Sequence, residues 1–184
     1  LTSAKILAFS IHDDIKESII YKFVFSILLK QVDIIFSTGF GAAEKIKTMT
    51  SIKVVVQPSG INKIFFKPYK RKFSTDALQV ITVANLVAKK NLNLILDIAK
   101  ELKNFKFIIV GDGIEKKHLQ KRIVCENISN TELVGYKTPD ELRELYCASD
   151  IFLLTSLKEG TPTAILEAMA CGLPIVSSNA GGVK

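Results

Sequence analysis

Between Thr155 and Val183 the chain reads TSLKEGTPTAILEAMACGLPIVSSNAGGV, a stretch whose residue types and spacing could do chemistry. An apolar strand ends at Ser156, and a short loop follows with Glu159, Gly160 and Thr161. Pro162 suits the first turn of a helix, with Thr161 as its N-cap. The helix is expected to run to Cys171 and stop at Gly172, a C′ residue. The opening turn of a helix presents backbone N–H groups that have no intrahelical partner. Together with the helix dipole they favour an anion, phosphate above all. Gly160 allows the backbone to approach a diphosphate with no side chain in the way.

Glu167 is the lone charge among Ala164, Ile165, Leu166, Ala168, Met169, Ala170 and Cys171. A carboxylate without a cation beside it resists full burial. Two placements satisfy it: on the solvent face of the helix, or lining a cleft where it accepts hydrogen bonds from sugar hydroxyls. Elsewhere, Gly111, Asp112 and Gly113 follow an apolar run, where a parallel sheet places its ligand crevice. Gly135, Tyr136 and Lys137 follow the next run, and Tyr136 reads equally well as a partly exposed loop aromatic. His12 stands after the first run, in SIHDD, with Asp13 and Asp14 opening a helix. His118 lies in a lysine-rich helix and reads as a surface residue.

The elements that must position these groups alternate regularly. Strands are expected at 5–11, 33–37, 53–57, 79–84, 105–110, 131–134, 151–155 and 174–177. Helices are expected at 15–30, 41–47, 92–102, 114–126, 139–148 and 162–171. Short apolar strands separated by helical patterns make βα units and a parallel sheet. Apolar periodicity lapses over FFKPYKRKFSTD at 65–76, a linker between two α/β layers. Residues 1–65 hold about three strands, too few for an independent doubly wound domain. They read as the end of one domain, and 66–184 as a second domain that also lacks a part. The start at Leu1 and the stop at Lys184 read as cut ends. The helix at 15–30 either packs on its own sheet or lies at a membrane interface.

The net charge of +7 suits an anionic ligand or membrane surface. The lysines are spread along the chain without an aromatic-interleaved basic stripe, which argues against nucleic acid. Three cysteines, Cys125, Cys147 and Cys171, lack metal-ligand spacing and read as reduced, buried thiols of a cytoplasmic protein. The apolar run at 19–29 is interrupted by Lys22 and is too short to span a bilayer.

Glu159 and Glu167 are spaced as E-x7-E, and EGTPTAILEAMACGLPIVSSNAGGV around them resembles the signature of retaining GT-B glycosyltransferases, family 4, nearly residue for residue. VVVQPSGINKIFF at 54–66 is similar to that family's crossover between domains, with Ser59 where Asn is usual. VITVANLVAKKN at 80–91, FIIVGDGIEKKHL at 107–119 and VGYKTPDELRELYCASDIFLLTS at 134–156 fall in the family's order, with Ile114 replacing a proline.

The resemblance implies an α/β protein of GT-B type: a Rossmann-like, parallel-sheet nucleotide-sugar domain preceded by the end of an N-terminal Rossmann-like domain. It further implies retaining transfer of a hexose from a nucleoside-diphosphate sugar to a glycan or lipid-linked acceptor, at the inner face of a membrane. Glu167 would take the ribose hydroxyls and Glu159 the donor sugar. Amides at Gly160, Thr161, Thr163 and the helix start after Pro162 would hold the diphosphate. Lys90 matches a family lysine that reaches the same phosphates, with Lys89 beside it; on spacing alone both read as the solvated end of a loop. Asn85 stands where the family carries arginine, so leaving-group stabilisation would rest on the lysines. Gly111 and Gly113 would border the phosphates, while Gly135, Tyr136 and Lys137 would edge the nucleobase. His12 would face the sugars.

There is no D-x-D in the chain, and the resemblance implies transfer without a metal or other cofactor, with lysine and helix dipole in the metal's place. A GT-B sugar-nucleotide epimerase and a catalytically silent nucleotide-sugar-binding module are the alternatives. A dinucleotide-binding Rossmann domain is disfavoured, because the G-D-G turn continues as IEK without a third glycine.

Overall fold

The computed structural model describes residues 6–9, 27, 32–57, 59–62, 65–68 and 77–180. Eight strands occur among them. The chain divides into two compact units. The first holds the described residues up to Ser59 together with Lys158–Pro162; the second holds Gly60–Leu157 and Thr163–Ala180.

The first unit contains β1 (Ile6–Phe9), β2 (Ile34–Ser37), α1 (Phe40–Lys47) and β3 (Lys53–Val56). The three strands are parallel in the order β1-β2-β3. Ile35 and Ile46 are wholly buried, with Val32, Met49, Ile52 and Val54 packed around them. The expected helix at 15–30 lies outside the described residues except for Ile27, which is helical and exposed. His12, Asp13 and Asp14 also lie outside them.

The second unit runs β4 (Leu78–Val83), a 3-10 turn at Ala88–Lys90, α2 (Leu92–Glu101), β5 (Phe105–Val110), α3 (Lys116–Cys125), β6 (Thr131–Gly135), α4 (Pro139–Ala148), β7 (Ile151–Leu154), α5 (Thr163–Ala170) and β8 (Ile175–Ser177). Its five parallel strands lie in the order β6-β5-β4-β7-β8. Strand order therefore reverses at β4, with β5 on one side and β7 on the other. In open parallel sheets of this kind the ligand crevice lies outside the carboxyl ends of the strands at that switch point.

Period-two alternation in the strands builds a core on each face of the sheet. Val80, Phe107 and Ile109 join Leu92, Ile95, Leu96 and Ala99 of α2 and Leu119 of α3. The intervening Ile81 and Ile108 are also buried, as are Tyr146 of α4 and Ile165 and Ala168 of α5. Burial on both faces is why FIIV in β5 reads as a continuous apolar run.

The two helices on the first face are also tied by charge. Arg122 donates to Glu126 at 2.6 Å and to Asp97 at 2.7 Å, and Lys100 reaches Glu126 at 2.8 Å. The Arg122 hydrogen bond, then that of Lys100, holds the Glu126 carboxyl down at about 2. α4 starts with a capping box after Thr138: the Glu141 carboxylate accepts from the Thr138 N–H at 2.8 Å, while the Glu141 N–H donates to the Thr138 hydroxyl. Cys171 is buried as expected. Cys125, however, is exposed and Cys147 half-buried. Cys125 closes α3, a charged helix with Leu119 as its buried residue, so its position never enters the core.

Candidate functional site

The carboxyl ends of β4 and β7 are held together by backbone. After β4 the chain passes through Asn85, which is exposed, into the 3-10 turn that contains Lys89 and Lys90. Asn91 then takes a left-handed conformation, φ 49°, and α2 begins. The Leu157 N–H donates to the Lys89 carbonyl at 2.9 Å. Thr155, buried just past β7, directs its hydroxyl to the Lys90 and Asn91 carbonyls at 3.0 and 3.1 Å. The lysine turn is thus fastened to the end of the strand from which the chain departs for Glu159 and α5.

The turn after β5 is locked to the same loop. The Ala84 N–H donates to Val110, the Leu86 N–H to Asp112 at 2.8 Å, and the Glu115 N–H to Leu86 at 2.9 Å. Backbones this close exclude side chains between them. A Cβ on Gly111, where φ is +134°, would lie 1.9 Å from the Ala84 carbonyl oxygen; one on Gly113 would lie 2.4 Å from that of Leu86. Sequence reasoning took these glycines as phosphate neighbours, and packing against the β4 loop is a second demand on them. Asp112 pairs with Lys116 at 2.6 Å and accepts from the Gly113 N–H; these bonds, the Lys116 one first, hold its carboxyl below the usual range.

At the end of β6, Gly135 accepts from the Gly111 N–H at 2.8 Å; beyond it Tyr136 is 75 % exposed, and Lys137 pairs with Glu141 at 3.2 Å. His118 is exposed on α3.

α5 begins at Thr163, one residue later than the sequence pattern suggests. The Thr161 hydroxyl donates to the Thr38 carbonyl, a contact within the first unit. There too, a Cβ on Gly39 would stand 3.3 Å from Gly160 Cα. Glu159, Gly160, Thr161 and Pro162 are all half-buried, whereas Thr163 is exposed.

Glu167 is hydrogen-bonded to a residue of α4. It is half-buried on α5, and its Oε2 accepts from the Tyr146 hydroxyl at 2.9 Å. Among the described residues this is the one hydrogen bond to its carboxylate. Burial raises the Glu167 carboxyl above its ordinary range, and the Tyr146 bond opposes that rise. Tyr146 is fully buried, and its phenol is pushed up by burial and then by the neighbouring carboxylate. Its ring stands edge-on to Phe66 and tilted against Phe152, each with centroids 6.1 Å away. Sequence reasoning did not single out Tyr146. The available signal was a half-buried carboxylate in an apolar helix, which needs a donor from a neighbouring element.

The model of the family described as Glycosyl transferases group 1 matches residues 63–184. The chain belongs to that family. It is 34 % identical over 142 residues to the amylovoran biosynthesis glycosyltransferase AmsK of Erwinia amylovora, covering 71 % of this chain and 35 % of that protein. A phosphatidylinositol N-acetylglucosaminyltransferase component from Arabidopsis thaliana is 32 % identical over 142 residues, covering 73 % of this chain and 31 % of that protein. The chain spans about a third of the length of these curated relatives.

Among solved structures, Anabaena HepE in complex with UDP superposes with a TM-score of 0.82 at 18 % identity, covering 97 % of this chain and 54 % of that one. Sucrose-phosphate synthase of Thermosynechococcus elongatus gives 0.80 at 17 %, covering 97 % and 51 %. At such identity the likeness is one of fold. The group 1 chain has the α/β, parallel-sheet architecture of the GT-B type. Among the described residues no helix is long and apolar enough to cross a membrane, and no three His, Cys, Asp or Glu side chains gather as a metal site.

Proposed function

We propose that this chain forms the donor-binding half of a retaining, metal-independent glycosyltransferase. The whole enzyme moves a hexose from a nucleoside-diphosphate sugar to a glycan or lipid-linked acceptor at the cytoplasmic face of a membrane. The observation that carries this reading is the fastening of the Lys89–Lys90 turn to the end of β7 at the switch point of the sheet. The turn that carries both lysines is thereby tied to the strand that precedes Glu159 and α5 in the chain.

The chemistry follows from where charge develops. As the glycosidic bond lengthens, negative charge accumulates on the departing diphosphate. Lys90, Lys89 and the amides opening α5 at Thr163 interact more strongly with that charge than with the ground state, and so lower the barrier. By the family resemblance, amides of Gly160 and Thr161 also take the diphosphate, and Pro162 precedes the helix in the chain. Asn85 supplies no cation, so the lysines carry the charge. Gly111 and Gly113 keep the neighbouring loop close, Tyr136 and Lys137 with Gly135 border the nucleobase, and Glu167 holds the ribose. By the family resemblance, Glu159 contacts the donor sugar and His12 acts near the sugars. Fixed amides and lysine stand in for a divalent ion. Retention follows from attack on the face that the phosphate leaves, with the phosphate taking the acceptor's proton.

Support for the donor comes from a neighbour of the same fold crystallised with UDP. Support for the acceptor comes from relatives named for transfer to phosphatidylinositol and for polysaccharide biosynthesis. Calorimetry with UDP and GDP is the test. Binding of one of them, weakened on Glu167→Ala, is expected; failure to bind either would end the reading.

A further inference from the structure

We propose that Tyr146 is a positioning residue for Glu167, its hydroxyl fixing one carboxylate oxygen so that the other remains available to a hydroxyl of the ligand. The inference rests on the reading of Glu167 as the ribose-binding group.

The argument begins from stoichiometry. A half-buried carboxylate has two oxygens and about four lone-pair sites, and Glu167 uses one oxygen on Tyr146 at 2.9 Å. A phenol carries a single proton. The Ala164 carbonyl, 3.4 Å away, is the poorer acceptor for it, so the proton belongs to Glu167. The phenol cannot readily turn elsewhere, because its ring is held between Phe66 and Phe152 in the core beneath α4 and α5. A glutamate on its own has three rotatable bonds and loses rotamer freedom when it grips a ligand. Here that loss is met on folding, by a rigid aromatic on a different helix.

The arrangement also opposes the effect of burial on the Glu167 carboxyl. Burial favours the neutral carboxyl, and the Tyr146 bond favours the carboxylate. An ionised Glu167 accepts from two ligand hydroxyls more strongly than a neutral one. Among the described residues, the titratable groups that act on the pair include Cys171, one turn on from Glu167, which acts on the phenol. Arg143, also on α4, lies instead over the Phe65 ring at 5.6 Å.

Phe66 adds a consequence. It lies in the second unit, ahead of β4, and it packs edge-on against the phenol that holds Glu167. Loss of that ring should loosen Tyr146 without touching the ligand.

The test compares UDP with its dideoxyribose analogue, which lacks both ribose hydroxyls, by calorimetry across pH. The two share the diphosphate, so its own titration cancels in the ratio of affinities. The parent protein should prefer UDP on the order of a hundredfold, as expected for two hydrogen bonds to a charged acceptor. Glu167→Ala should abolish that preference. Tyr146→Phe, which keeps the ring in its slot, should reduce it about tenfold and move its acid limb to higher pH, since the bond that favours the carboxylate is gone. In a Glu167→Gln background Tyr146→Phe should cost far less, because its partner has lost its charge. Should Glu167→Ala abolish the preference while Tyr146→Phe leaves its size and its acid limb at parental values, the positioning role is refuted and the ribose reading stands. An unchanged preference in Glu167→Ala refutes the ribose reading and the inference with it. If Tyr146→Phe does not fold, Phe66→Leu provides the second variant. It should lower the same preference several-fold, and full retention of the parental preference would refute the inference.

Discussion

Replacing Gly111 by alanine should do damage out of proportion to one methyl group. The new Cβ would lie 1.9 Å from the Ala84 carbonyl oxygen and 3.0 Å from its carbon. That oxygen contact is roughly 1.4 Å inside an ordinary carbon–oxygen approach of about 3.3 Å. No side-chain rotation relieves it, since both partners are backbone, and φ of +134° is itself unfavourable for alanine. The conformational strain costs roughly 1–3 kcal/mol. Parting the loops also sacrifices the Ala84–Val110 and Leu86–Asp112 hydrogen bonds, each worth about 1 kcal/mol net. The expected loss is on the order of 3–5 kcal/mol, a large share of the ~5–15 kcal/mol that holds a typical domain. At roughly 2–4 °C per kcal/mol, the melting temperature should fall by about 10 °C or more. Urea unfolding followed by circular dichroism measures this directly. Gly60→Ala is the internal control, because among the described residues no atom beyond its chain neighbours lies within 4 Å of its added Cβ, and it should be nearly neutral. If Gly111→Ala unfolds within about 0.5 kcal/mol of the parent, the close-approach argument is wrong.

Four further outcomes follow. Lys90→Ala should lower kcat by on the order of 10²–10³ with little change in KM, the mark of a group acting on the leaving diphosphate; steady-state kinetics of the full-length enzyme would show it. Glu159→Ala should mainly impair turnover while Glu167→Ala weakens nucleotide affinity, which paired kinetics and calorimetry separate. Thr138→Ala removes half of the capping box on α4 and should cost about 1 kcal/mol in urea unfolding. Glu126 has a folded pKa near 2, against an ordinary value of 4.5. Its stabilising effect is therefore complete above 4.5 and is lost as pH falls toward about 2. Melting temperatures over that window should drop less steeply in Glu126→Gln, and added salt should flatten the parental curve.

The strands and most helices could be read directly from the chain. Apolar runs of four to six residues and their helical spacers are local signals, and β5 and α4 coincide with their expected bounds. Pro162 and Thr161 carry strong helix-start preferences, yet α5 starts one residue later, and the Thr161 hydroxyl is engaged by Thr38, far off in sequence. Residue type favours burial of Cys125, whereas its place at the end of the charged α3 leaves it exposed. The bond between Tyr146 and Glu167 joins residues 21 apart on different helices, and only strand order brings those helices onto one face of the sheet. The demand on Gly111 is likewise set by a loop 27 residues earlier in the chain, at Ala84. Glu159, Glu167 and Lys90 form a set by resemblance; on spacing alone Lys90 reads as the solvated end of a loop. The fastening of the lysine turn to β7 is a tertiary fact.

A crystal structure of the full-length enzyme with UDP tests the central claim most directly. The diphosphate should lie against Lys90 and the amides opening α5, with a ribose hydroxyl within hydrogen-bond distance of the Glu167 carboxylate. A nucleotide bound elsewhere, with Lys90 and Glu167 both more than about 6 Å from any of its polar atoms, would contradict the account.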